Sequence, residues 1–142
     1  MPIDYRTVKD WPFADITHAY DWKDSALYAL SLGIAADPLD AADLRYVYEQ
    51  DMRAFPGMAV VLAHPGFWVR DAAAGIDWKN AVHVEQRLVL QRALPASGSV
   101  TARTRVRALI DKGPGKGALM VSERQLRDTH SAAVYGLSLI HI

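Results

Sequence analysis

From Val82 onward the chain alternates. Val82, Val84, Leu88 and Leu90 fall on one side of an extended chain, His83, Glu85, Arg87 and Gln91 on the other, and Gln86 interrupts the apolar side. Further on, Val100, Ala102, Val106, Ala108 and Ile110 alternate with Thr101, Arg103, Arg105 and Arg107. This spacing predicts a half-buried antiparallel strand with one wet face. Asp111–Gly117 reads as a turn by composition, Leu119–Arg127 as the returning strand, and Ala132–Leu139 as one more. The first half is less regular. Residues 1–20 read as an irregular segment, with Pro2 and Pro12 as breakers. A helix is expected over Lys23–Gly33, with Asp21 accepting from the N–H of Asp24 at its start and Gly33 closing its end. Leu27, Leu30, Ser31 and Ile34 form its stripe. Leu44–Glu49 has the composition of a short strand. Met58–Ala63 is an apolar run between breakers that periodicity assigns to neither helix nor strand.

An early helix followed by long strands and short turns predicts an α+β domain with an antiparallel sheet. The helix covers the sheet's apolar face only in part, so further cover is expected from a second domain or subunit. The 142 residues suit one domain, and 51% hydrophobic with 23% charged residues is an ordinary globular balance. Sixteen basic and sixteen acidic side chains cancel. A neutral chain has no general attraction to nucleic acid or anionic membrane, and neither is expected as a partner. With no cysteine, disulfides, thiolate metal sites and thiol nucleophiles are excluded together, which fits a cytoplasmic protein. The five histidines are scattered, and no metal site is expected.

Several blocks, in order, resemble a known family. They are Tyr20–Gly33, Leu44–Glu49, Phe55-Pro56, Val82-His83-Val84-Glu85-Gln86, Leu94-Pro95 and Asp111-Lys112-Gly113-Pro114-Gly115. Together they are similar to the N-terminal half of the type 2 (MaoC-like, R-specific) enoyl-CoA hydratases. The resemblance implies a hot-dog fold over residues 21–136, here a single incomplete hot dog: an antiparallel sheet with a helix packed on it. It implies the non-catalytic half of such an enzyme, which shapes the tunnel for a fatty-acyl or steroid tail. By that resemblance His83, Val84 and Lys112 contact the acyl-CoA substrate. The family usually has Gly where Val84 stands, and Val leaves a ligand less room. CoA enters as part of the substrate, and no cofactor is implied. The implied partners are a catalytic hot dog, in cis or as a second subunit, and a further copy of this chain in a homo-oligomer.

Hydration of an enoyl thioester needs an acid and base around water, and donors for the thioester oxygen. In the family these lie on an Asp-x-Asn-Pro-x-His motif, which is absent here. Asp77, Asn80 and His83 have the right types in the right order, but each gap from the Asp is one residue too long and no Pro follows the Asn. One extra residue turns a side chain to another face, so no catalytic residue is expected in this chain. Each candidate binding residue also has a plainer reading. His83 can be a solvated strand histidine beside Glu85. Lys112 and Lys116 can be solvated lysines on a Gly-Pro-Gly turn, or a phosphate clamp. Arg103, Arg105 and Arg107 can be a wet strand face, with Glu123 opposite as a partner. A stand-alone acyl-binding or subunit-interface hot dog remains the rival reading, with acyl-carrier-protein dehydratases and thioesterases as enzymatic relatives. Residues 137–142 fit no block of the family and read as a non-native tail.

Overall fold

The computed structural model describes residues 3–142, so Pro2 lies outside the described residues. Five antiparallel strands form one sheet in the order β1-β3-β4-β5-β2. They are β1 (Ile16–Tyr20), β2 (Glu85–Leu90), β3 (Gly98–Asp111), β4 (Ala118–Asp128) and β5 (Val134–His141). Three helices accompany them: α1 (Tyr5–Lys9), α2 (Trp22–Ser31) and α3 (Ala41–Leu44). Short 3₁₀ turns occupy much of the chain between α3 and β2.

The second half follows its alternation from Glu85 on, whereas Val82 and Val84, expected on the apolar side, are 69% and 67% exposed ahead of the strand. On β2, Gln86, Leu88 and Leu90 turn inward, while Glu85, Arg87 and Val89 are exposed. On β3, Val100, Ala102 and Val106 are buried, and the arginines between them are exposed. A bulge between Val106 and Ala108 then reverses the parity. Leu109 joins the inner cluster and Ile110 is 50% exposed, so the expected inward Ile110 is corrected.

Helix α2 is fixed at both ends by its sequence. Asp21 Oδ1 accepts from the N–H of Lys23 and Asp24, and Asp24 returns a bond to the N–H of Asp21. At the other end Gly33 takes φ +79°, and the N–H of Ile34 reaches the carbonyl of Ala29. Its buried face differs from the expected stripe. Ser25 and Ala29 are buried, while Leu27 and Leu30 are 69% and 54% exposed. Close approach to the Pro95–Ala96 backbone selects small residues there, and Ser25 Oγ donates to the Ala96 carbonyl at 2.7 Å.

The sheet's inner face is covered by the Met58–Ala63 run. It folds as a 3₁₀ turn with an irregular continuation, and Met58, Ala59, Leu62 and Ala63 are buried against Val100, Ala102, Leu126 and Leu94. An irregular buried backbone must find partners for its polar groups. Two side chains of the inner face supply them: His18 Nδ1 accepts from the Ala63 N–H at 3.1 Å, and Arg124 Nη2 donates to the carbonyls of Ala59 and Val60. A second cluster at the other end joins Val8 of α1 to Val69, Val106 and Met120, with Trp68 and Trp78 against it.

Two further expectations are corrected, and the C-terminal residues take a place in the sheet. The described part of residues 1–20 is not irregular throughout: Asp4 caps α1, and residues 16–20 pair with β3 as β1. Leu44–Glu49 is no strand. Asp40 caps α3, and the N–H groups of Tyr46, Val47 and Tyr48 reach carbonyls at Asp43 and Leu44, so local turn bonds override strand propensity. Residues 137–141 are integral to β5: Leu137–His141 pairs with β2 on one side and β4 on the other.

Candidate functional site

The extended segment Ala81–Val84 leads into β2, and the Val84 N–H extends the ladder to the His141 carbonyl at 2.8 Å. A cavity lies on each side of this segment, and both are bordered by Val69, Ala81 and Ile142. The larger, about 700 Å³, is edged by Val84, Asp77, Asn80 and the Asp111–Gly117 turn. That turn is tight because Gly113, Gly115 and Gly117 all take positive φ, and Lys112 N–H bonds back to the Gly117 carbonyl at 3.0 Å. Lys112 and Lys116 are exposed at its mouth. The smaller cavity, about 430 Å³, has walls from Val60, Val61, Phe67, Trp68 and Ile140, and a polar floor from β2, β4 and β5.

Of the three residues expected to contact substrate, Val84 and Lys112 border one cavity and His83 the other. Val84 is 67% exposed, so its side chain stands at the opening. His83 Nε2 lies 3.0 Å from the Glu85 carbonyl. The Asp77, Asn80 and His83 trio is not assembled: Asn80 donates to Asp77 at 2.8 Å, while His83 faces the other cavity.

The floor residues escaped the sequence reading. Met120, Ser122, Arg124 and Leu126 alternate inward on β4, and Arg124 is 4% exposed. Removal from water lowers its pKa to about 10. Gln86 donates to Ser138 beside it. Ser122 Oγ and Arg124 Nη1 are buried without a hydrogen-bond partner. His64 borders the same cavity, and burial together with the nearby Arg124 charge holds its pKa below the usual histidine value. Its Nδ1 accepts from the Gly66 N–H at 3.1 Å, so the neutral ring carries its proton on Nε2. The available signal was parity: an arginine at an inward position between Met120 and Leu126 is out of place on a simple core strand.

On the outer face the basic row is paired, as the sequence allowed. Glu123 accepts from Arg105 at 2.6 Å and Arg107 at 2.9 Å, and Arg103 holds Asp15 at 3.0 Å.

A curved antiparallel sheet closed over an internal segment, with cavities along that segment, defines a hot-dog domain. The match to known proteins narrows this. The model for the MFE-2 hydratase 2 N-terminal domain matches residues 18–136, and the chain belongs to that family. It is 28% identical over 118 residues to the peroxisomal multifunctional enzyme type 2 of Drosophila melanogaster, covering 76% of this chain and 20% of that protein. It is 28% identical over 127 residues to the enoyl-CoA hydratase ChsH3 of Mycobacterium tuberculosis, covering 87% of this chain and 44% of that protein. The crystal structure of a MaoC-like dehydratase from Phytophthora capsici superposes with a TM-score of 0.72 at 26% identity, over 98% of this chain and 48% of that one. The chain thus spans less than half the length of these relatives.

Proposed function

We propose that this chain is the acyl-holding half of an (R)-specific enoyl-CoA hydratase. That enzyme adds water to trans-2-enoyl-CoA, placing hydroxide on C3 and a proton on C2, to give (3R)-3-hydroxyacyl-CoA. The reaction moves no net electrons and calls for no redox cofactor. The observation that carries the reading is the pair of cavities on either side of Ala81–Val84, one edged by lysines on a glycine turn and one walled by apolar side chains. Lys112 and Lys116, exposed on the turn, suit the CoA phosphates. The apolar walls of the smaller cavity suit a tail, with His83 and Val84 between.

The acid and base would come from a second hot dog, in cis or as a second subunit. Asp77 is engaged by Asn80, and His83 opens on a different cavity, which supports catalysis from elsewhere. The relatives named as an enoyl-CoA hydratase and a MaoC-like dehydratase are about twice as long as the matched stretch, which leaves room in such a protein for a second domain. Calorimetric titration with octanoyl-CoA tests the reading. Binding is expected, weakened about tenfold by Lys112→Glu, since a charge-assisted phosphate contact is replaced by repulsion. Crotonyl-CoA mixed with the chain alone should lose its enoyl absorbance no faster than in buffer. Absence of octanoyl-CoA binding, or turnover by the isolated chain, would refute the assignment.

A further inference from the structure

Arg124 holds a charge at the floor of the smaller cavity with no acid to balance it. Its Nη2 is used: it ties down the carbonyls of Ala59 and Val60 and so fixes the segment that covers the sheet. Among the described residues its Nη1 has no partner, nor has Ser122 Oγ, two residues away on the same face. Both atoms are buried, and both residues border the cavity. Glu123 also borders it, but its two carboxylate oxygens are taken by Arg105 and Arg107. His64, exposed at the rim of the cavity, is biased toward its neutral form and has an Nε2 proton to donate. The floor therefore presents donors and one uncompensated positive charge, under walls of Val60, Val61, Phe67 and Trp68.

Desolvating a guanidinium without an anion is costly, and a fully made carbonyl contact on one nitrogen does not remove the cost. Structural need explains Nη2 and leaves Nη1 unexplained. A neutral polar ligand would satisfy hydrogen bonds but leave the charge. A carboxylate satisfies both, since each of its oxygens can accept from Nη1 and from the Ser122 hydroxyl or the His64 ring.

We propose that the smaller cavity binds a carboxylate borne on an apolar chain, with the carboxylate on Arg124 Nη1 and Ser122 Oγ and the chain along Phe67 and Trp68. Two sources share this chemistry: a free fatty acid, and the far end of an acyl thioester that carries a terminal carboxylate. The second deepens the acyl-holding reading and rests on it, whereas the first does not.

The test is isothermal titration of the 142-residue chain with octanoate, octanol, octanoyl-CoA and ω-carboxyoctanoyl-CoA. Octanoate should bind about tenfold or more tighter than octanol, as one charge-assisted contact in a dry site allows. Arg124→Gln should erase that preference. Gln retains an N–H for the Ala59 or Val60 carbonyl, and circular dichroism checks that the sheet survives. Ser122→Ala, which leaves the arginine in place, should reduce the preference several-fold and gives a second readout if Arg124→Gln unfolds. Equal affinity for octanoate and octanol in the unmodified chain overturns the proposal, as does a preference unchanged in a folded Arg124→Gln. Tighter binding of the ω-carboxy thioester than of octanoyl-CoA identifies the thioester as the source, and a preference confined to octanoate identifies the free acid. Failure of both thioesters to bind, with the octanoate preference intact, removes the acyl-CoA reading and leaves the carboxylate site standing.

Discussion

Glu123 and Arg124 are neighbours on β4 and live in opposite electrostatic worlds. Glu123 turns its carboxylate to the outer face, is itself only 8% exposed, and is held by two arginines that are 66% and 59% exposed. Arg124 points to the inner face, is 4% exposed, and meets two backbone carbonyls but no acid. A strand turns successive side chains to opposite faces, so one step along the chain carries a residue from a face where two counter-charges reach it to one where none does. The outer carboxylate is balanced by both arginines. The inner charge is an expense that stability alone does not justify, which is why it points toward a ligand.

This contrast can be broken or sharpened. The largest effect is expected where the inner face has no spare room. A Cβ on Gly136 would lie 2.6 Å from the Val89 carbonyl oxygen, so Gly136→Val should cost about 3 kcal/mol in urea unfolding. An unchanged midpoint would show that β5 does not lie against β2 as described. Next, Arg124→Met should cost about 2 kcal/mol, because it strands the buried carbonyls of Ala59 and Val60, a loss that relief of the guanidinium's desolvation only partly offsets. An unchanged midpoint would show that Nη2 does not hold the covering segment. On the outer face Glu123→Gln should cost about 1 kcal/mol through the loss of two charge-assisted bonds to a buried carboxylate, and the difference should shrink in high salt as the exposed arginines are screened.

The smallest effect is a pH dependence in the turn after β4. The Asp128 carboxylate accepts from the N–H groups of Ser131 and His130, the Ser131 hydroxyl and the Tyr135 hydroxyl. Its pKa is held down at about 2, first by the Ser131 N–H and then by that residue's hydroxyl, against an ordinary 3.8. A lowered carboxyl pKa stabilises the fold above the unfolded value and loses that contribution as pH falls through the folded one. Stability should therefore decline between about pH 4 and pH 2, and Asp128→Asn should flatten that part of the curve. An identical acid profile in both proteins would show that the turn does not depend on the charge.

Much of the sheet was legible because its signals are local. Alternation located β2 and β3, the glycine turn marked β4 as the returning strand, and Asp21 and Gly33 marked the ends of α2 by capping chemistry that needs no tertiary partner. Legibility failed where long-range packing chose the face or the element. Leu27 and Leu30 were read as buried, but the helix approaches its neighbours through Ser25 and Ala29. Ile110 was assigned inward because a period of two cannot foresee the bulge after Val106. Leu44–Glu49 looked like a strand by composition and forms turns around the cap of α3. Among the site residues, Val84 and Lys112 do border one cavity. Arg124 passed unnoticed because a charged residue on a strand is ordinarily taken for its wet face.

Sequence alone was enough to establish an antiparallel α+β domain, the caps of its main helix, the glycine turn carrying Lys112, and the absence of a hydratase motif. These follow from periodicity, turn chemistry and residue inventory, all of which act over a few residues. Tertiary structure decided which segment fills the sheet, that residues 137–141 complete β5, and that an unpaired guanidinium lies at a cavity floor. Those outcomes depend on which distant surfaces meet, and burial is a property of that meeting.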